Sequence, residues 1–406
     1  MRVAGIIAEY NPMHNGHIYH LEKSREISKA DFVVAVISGN FTQRGEPALL
    51  DKWTRSRIAV ENGADLVLEM PFVFATGSAE TFARGGVGIL EGLGIVDALC
   101  FGSESADCSE LQFMADFLKN ESPEFRMYLK KHLDMGISFP KARELAVNEC
   151  LGMDAGKLLK NPNDILAIEY LKQIRSMTPV AIERKGSYSS EKLPEDQLLQ
   201  ATYPSAMAIR KAVFCGELPE VEQFVPKGTF EELRVLFDMG GGFTAPTEKN
   251  KLMNYYDLLR SSILSSDAPE LAQIEGVTEG MENRIKKEVR LHSDMDSFAD
   301  ALKSKRFTRT AINRMLIHIL TGLKNPVPIG SDSLYTKVLA FNDNGSKLLK
   351  EASQHGELKI ITNINKYDDL PSGLEYDIRA TDLYNLMTSA DLYENSEYVM
   401  KPYMGR

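Results

Sequence analysis

No stretch of the 406-residue sequence approaches the ~18 consecutive apolar residues that a membrane-spanning helix needs. The N-terminal MRVAGIIAEYNP also lacks the apolar segment and small-residue cleavage site of an export signal, so cytoplasm is the expected compartment. Cysteine is scarce. Cys100, Cys108, Cys150 and Cys215 form no CxxC pair and no zinc-like spacing, which argues against a cysteine metal site or a disulfide framework and for reduced, mostly buried thiols. No internal repeat or low-complexity segment occurs. A basic excess is missing too: 47 Lys and Arg face 57 Asp and Glu, a net charge of −10, which excludes an evenly basic surface for nucleic acid. What is present, 43% hydrophobic and 26% charged residues, is the composition of a soluble globular chain.

At about 150 residues per domain the length predicts two or three domains. The first half alternates short apolar runs with helical periodicity, as in βαβ units around a parallel sheet. Strands are predicted at Val3–Ala8, Phe32–Ile37, Asp65–Leu68, Asp97–Phe101 and Val180–Arg184, and their run-like apolar character suits a sheet covered on both faces. The connection from Phe101 to Val180 is too long for one crossover and predicts a helical insertion. The fold class is therefore α/β: a Rossmann-like, doubly wound domain over 1–225, whose ligands bind at the carboxyl ends of the strands, and a mainly helical domain over 226–406. Within the latter, Thr308–Leu323 reads as a helix stopped by Gly322 and Pro326, and Lys359–Thr362 as a short strand.

The chemistry concentrates in AGIIAEYNPMHNGHIYHL, residues 4 to 21. A strand ends near Glu9, Asn11 and Pro12 make a turn, and His14, Gly16 and His17 open a helix. Glycine lets backbone approach a phosphate, the helix N-terminus offers unpaired N–H groups, and two imidazoles can donate to phosphate oxygens as charge builds at phosphorus. Two ordinary surface histidines are the plain alternative, but the position directly after the first strand of a parallel sheet favours a nucleotide site. A second element, SAMAIR from Ser205 to Arg210, places a capping serine and an arginine at another helix start.

HxGH after the first strand, with a later Ser-to-Ile-Arg element, resembles the nucleotidylyltransferase superfamily. The segments IIAEYNPMHNGHIYHL, VVAVISGNFTQRGEPALLDKWTRSRIAVENGADLVLEMPF, FGSES, NPNDILAIEYLK, SAMAIRKAV and LKSKRFTRTAINRMLIHILTGL are similar, more narrowly, to the bacterial tRNA(Met) cytidine acetate ligase family. The resemblance implies an enzyme that activates acetate with ATP as acetyl-adenylate and then acetylates the wobble cytidine of elongator methionine tRNA. It puts ATP on Ile7, Ala8, Glu9, Tyr10, Asn11, Pro12, Met13, His14, Asn15, Gly16, His17, Ile18, Tyr19 and His20, with Gly102, Asn163, Arg184 and Ser205 as further contacts. His14, His17 and Arg210 would stabilise the charge at phosphorus, and Mg²⁺ would accompany the triphosphate without a dedicated protein metal site. Met13 stands where the family commonly has phenylalanine, Asp164 where it has a second asparagine, and Ser189 where it has a histidine.

Arg44, Lys52, Arg55 and Arg57, with Asn40 and Gln43, could hold phosphate, acetate or a nucleotide, or could simply be a solvated helix face. Gly85–Gly88 and Gly240–Gly242 lack the frame of a phosphate loop and suit packing or a hinge. The charge, divided along the chain, is uneven. From Arg284 to Lys324 ten Lys or Arg face four Asp or Glu, +6 in 41 residues against −16 elsewhere. Lys303, Lys305, Arg306, Arg309 and Arg314 are the candidates for contacts to tRNA phosphates. Two other functions fit the motif alone: a small-molecule nucleotidylyltransferase of cofactor synthesis, and a nucleotide-sensing RNA-binding module without catalysis.

Overall fold

The computed structural model describes residues 1–185, 193, 203–238, 248–330, 333–388 and 390–405. Ser189 and Gly240–Gly242 lie outside the described residues. The five expected strands form, as β1 (Val3–Ala8), β2 (Phe32–Ser38), β3 (Leu66–Met70), β4 (Ala98–Ser103) and β5 (Thr178–Glu183). They pair in parallel in the order β5-β4-β1-β2-β3. All residues of β3 and nearly all of β2 are buried, which is why these strands read as continuous apolar runs rather than alternations.

Strand order reverses at β1. From β1 the chain proceeds outward to β2 and β3, then returns to lay β4 on the other flank. The helices that follow β1 and β4 therefore leave on opposite faces, and a crevice opens between the carboxyl ends of these two strands. The expected insertion between β4 and β5 is helical, comprising Cys108–Lys119, Pro123–Asp134, Phe139–Leu151 and Pro162–Gln173.

The sheet does not end with the first 225 residues. Three strands from the second half complete it: β6 (Tyr335–Phe341) runs antiparallel to β3, while β7 (Lys359–Ile361) and β8 (Tyr403–Met404) pair with β6. β7 matches the expected Lys359–Thr362 strand, whereas β6 escaped prediction because Lys337 interrupts its apolar run. That lysine is buried. Its Nζ lies 3.1 Å from Glu69, 3.3 Å from Asp377 and 3.0 Å from Glu397. Lys52 joins the same cluster, 2.8 Å from Glu69 and in contact with Glu397. Burial alone would raise Glu397, but Lys337 and Lys52 hold its carboxyl well below the usual range.

The expected helix at Thr308–Leu323 is observed as Arg309–Thr321, capped by the Thr308 hydroxyl and ended by Gly322 at φ 68°. All four cysteines are free thiols, but only Cys100 is buried, because the other three sit at helix ends; this corrects the expectation of mostly buried thiols. No helix among the described residues is long and apolar enough to cross a membrane.

Candidate functional site

The crevice at the β1–β4 reversal is a cleft of about 240 Å³. Its first wall is the turn after β1. Tyr10, at φ 49°, and Asn11 lead the chain into helix Asn15–Ser28, whose N-cap is His14. The Asn11 side chain accepts the Leu49 N–H at 2.8 Å, and its carbonyl accepts from Arg210 at 2.7 Å, which fixes this turn against two other segments.

The two histidines form a capping box of unusual composition. Nδ1 of His14 accepts the Gly16 N–H at 3.1 Å, and Nδ1 of His17 accepts the His14 N–H at 3.2 Å. The rings stack with centroids 3.8 Å apart. An Nδ1 that accepts leaves the proton of a neutral imidazole on Nε2, so each ring offers an Nε2–H donor. Burial, assisted by Arg184, pushes His14 down to about 3 and His20 to about 4, and the same causes together with His14 hold His17 well below its ordinary value. At neutral pH the rings are neutral donors. Gly16 admits no larger residue, since a Cβ would stand 2.8 Å from the His14 ring.

The opposite wall comes from β4, β5 and helix Ala206–Phe214. Gly102 lies under Arg184, whose guanidinium donates to Asn163 Oδ1 at 3.4 Å, while the Asn163 amide donates to Glu104 at 2.6 Å. Asp164 accepts from the Ser103 hydroxyl, from the Glu104 N–H at 3.0 Å and from the Asn161 amide at 2.8 Å. A carboxylate here is thus surrounded by donors and secures the loop after β4, leaving Asn163 directed to the cleft. Ser205 caps the 206–214 helix by accepting the Ala208 N–H at 3.0 Å, as expected from the SAMAIR element.

Two helix N-termini, at Gly16–His17 and at Ser205–Met207, therefore meet in one cleft. Its lining also carries Arg44, Arg184, Lys185 and Arg210 against the carboxylates Glu9 and Glu183. Such an excess of cations and N–H donors suits a polyanion such as a nucleoside triphosphate. Of the expected ATP segment, Ile7 to Asn11, His14, Gly16, His17, Tyr19 and His20 line the cleft, as do Gly102, Asn163, Arg184, Ser205 and Arg210. Pro12, Met13, Asn15 and Ile18 do not: Met13 is buried in the core, Ile18 packs against that core, and the Asn15 amide donates to the Gln223 carbonyl at 2.8 Å. Tyr170, Phe82 and Lys185 are lining residues that sequence reasoning missed, because no local motif marks them.

The basic helix after β2 resolves differently. Arg55 is wholly buried and donates to the carbonyls of Leu50, Glu9, Ser38 and Gly39, which ties together the carboxyl ends of β1 and β2. Lys52 belongs to the buried cluster, and Arg57 pairs with Glu61 and Glu232. Asn40 accepts the Lys52 N–H at 2.9 Å and holds the loop. Of this group only Gln43 and Arg44 face the cleft.

The tRNA candidates cluster around the turn before helix Arg309–Thr321. Lys303 and Lys305 are exposed; Lys303 pairs with Asp300 at 2.8 Å and Arg306 with Glu279 at 2.6 Å. Arg309 bridges Asp296 and Asp300. Arg314 differs from the others in its partner: it is half-buried and donates to the Gln43 carbonyl at 3.4 Å, in the loop beside the cleft.

Residues 1–398 match the family model described as HIGH Nucleotidyl Transferase. The chain is 41% identical to the tRNA(Met) cytidine acetate ligase of Thermoanaerobacter sp. (strain X514), covering 98% of this chain and 96% of that one. It is 41% identical to the ligase of the same name from Alkaliphilus metalliredigens, covering 99% of each, and 37% identical to that of Clostridium perfringens over both full lengths. Among solved structures, Thermotoga maritima TmcAL bound with alpha-thio ATP superposes with a TM-score of 0.87 at 31% identity, covering 100% of this chain and 99% of that one.

Proposed function

This chain belongs to the tRNA(Met) cytidine acetate ligase family of HIGH nucleotidyl transferases, and from that membership we propose that it acetylates N4 of the wobble cytidine of elongator tRNA(Met), using ATP and acetate. The observation that carries the chemistry is the His14–His17 pair: two neutral Nε2–H donors at a helix N-terminus, in a cation-lined cleft.

The reaction takes two steps. An acetate oxygen attacks the α-phosphorus of ATP, the bond to the β-phosphate oxygen breaks, and pyrophosphate leaves with acetyl-adenylate formed. His14, His17 and Arg210 stabilise the charge that builds on the phosphate oxygens. Because the imidazoles are neutral and their N–H groups already fixed, they cost little reorganisation. Gly102, Asn163 and Arg184 hold the nucleotide, and Ser205 presents the second helix N-terminus. Among the described residues no group of three His, Cys, Asp or Glu is arranged to hold a metal, so Mg²⁺ would ride on triphosphate oxygens and water. The cytidine amine then attacks the acetyl carbon and AMP departs.

Lys303, Lys305, Arg306 and Arg309 would meet tRNA phosphates, and Arg314 would link that surface to the cleft. The proposed place of action is the cytoplasm. One assay tests the whole reading: protein, labelled acetate, ATP and bulk tRNA are combined and label in RNA is counted. Label in tRNA(Met) cytidine is expected. Label that stays in a small adenylate, or does not leave acetate, would favour a cofactor-making nucleotidylyltransferase or a binding module instead.

A further inference from the structure

Acetyl transfer leaves a proton to place. As cytidine N4 bonds to the acetyl carbon, the nitrogen becomes cationic and must lose a proton before AMP departs with the electrons of the broken C–O bond. Burial beside Arg184 holds His20 down to about 4, a weak acceptor, and His14 and His17 cannot take it. Each Nδ1 of His14 and His17 already accepts a backbone N–H, and each Nε2 carries the remaining proton. The arginines and Lys185 are donors only.

Two carboxylates line the cleft, Glu9 and Glu183. Glu183 is exposed on the edge strand β5, separated from β1 by the whole of β4. Glu9 directly follows β1, on the segment that leads to the two histidines. Its Oε1 accepts the Gln43 N–H at 2.7 Å, its carbonyl is held by Arg55, and Oε2 accepts no hydrogen bond from any described residue. The carboxylate is thus oriented through one oxygen and open through the other. Gln43 also contacts the opposite partner: its carbonyl accepts from Arg314 at 3.4 Å, on the helix whose N-terminal end carries the basic residues. Glu9 is therefore linked through Gln43 to Arg314 of the basic helix, and it lines the cleft.

We propose that Glu9 is the general base of the acetyl-transfer step, its Oε2 taking the N4 proton as the N–C bond forms and the C–O bond to AMP breaks. This rests on the ligase reading above. A carboxylate is basic enough, because the nitrogen turns acidic only as it bonds to carbon. Burial pushes the Glu9 carboxyl above its ordinary value, against the smaller opposing pull of the Gln43 N–H, Arg44, Arg210 and Arg55, which makes the carboxylate a stronger proton acceptor. Adenylation makes no such demand, since acetate arrives ionised.

The experiment compares two rates in Glu9→Gln: acetate-dependent ATP–pyrophosphate exchange, and acetylation of tRNA in the full reaction. Glutamine keeps the shape and can still accept the Gln43 N–H, but it takes no proton. The ratio of acetylation to exchange should fall by about 100-fold or more relative to wild type, with Glu9→Asp intermediate. An equal fall in both rates, or an undiminished ratio in either variant, overturns the proposal by making Glu9 an ATP contact or a packing residue. If Glu9→Gln does not fold, Glu9→Asp is read by the same ratio. Wild-type protein lacking exchange altogether would instead count against the ligase reading.

Discussion

Gly45 lies against the backbone of Arg314: a Cβ on Gly45 would stand 2.3 Å from the Arg314 amide nitrogen and 2.4 Å from the Asn313 carbonyl carbon. With φ at 75°, the glycine occupies a conformation that other residues seldom adopt. The loop that presents Gln43 and Arg44 to the cleft is therefore seated on the helix of the basic segment.

Gly45→Ala should cost about 2 kcal/mol or more, since neither backbone can give way. Urea unfolding measures this directly. A loss below about 0.5 kcal/mol, within the range of an ordinary surface change, would mean that loop and helix separate freely.

His17→Ala should lower acetate-dependent ATP–pyrophosphate exchange by about 10²- to 10³-fold, the usual effect of removing one donor to a developing charge. Far-UV circular dichroism should be unchanged. Exchange at the wild-type rate would remove His17 from the phosphate site.

Acid should destabilise the free protein through its histidines. His14, at about 3, and His20, at about 4, stay neutral when folded, but in the unfolded chain they take up protons near pH 6.5. The unfolded state thus binds more protons below pH ~6.5, so this contribution to stability is complete above that value and is lost as pH falls toward about 4. Urea midpoints between pH ~7.5 and ~5.5 should decline, and His20→Gln should make the decline shallower. The same slope in that variant would contradict the assignment.

Lys337→Met should destabilise by about 3–5 kcal/mol, because Glu69, Asp377 and Glu397 would then share only Lys52 in a buried site. Calorimetry or urea unfolding would test it. A neutral result would show that the cluster tolerates an unpaired carboxylate by keeping it protonated.

The double variant Lys305→Glu with Arg306→Glu should weaken tRNA binding and reduce its salt dependence, while exchange continues. Lys305 is exposed, whereas Arg306 already has Glu279 at 2.6 Å, so Lys305→Glu alone should carry much of the effect. Binding measured at several salt concentrations decides. Unchanged affinity would move the tRNA surface elsewhere.

Features that depend on short range were legible in the order of residues alone. A buried strand, a turn and a helix start lie within residues 3 to 17, so their order predicts both the first βα unit and a helix start that carries two histidines. Ser205 caps its helix as the SAMAIR element predicts, because a cap reaches only two or three residues. The net charge of −10 was divisible into a basic segment and an acidic remainder by position alone.

Features that depend on distant partners became visible only in the folded chain. Lys52, Arg55, Arg314 and Lys337 all look like surface cations in the sequence. Buried carboxylates 17 to 345 residues away, or loop and strand-end carbonyls, turn them into structural ties. β6 enters the sheet for the same reason: its lysine finds three carboxylates, which no local pattern encodes. Charge pairing over such separations costs too much desolvation to survive without the surrounding fold, so its sites exist only once the chain has closed on itself.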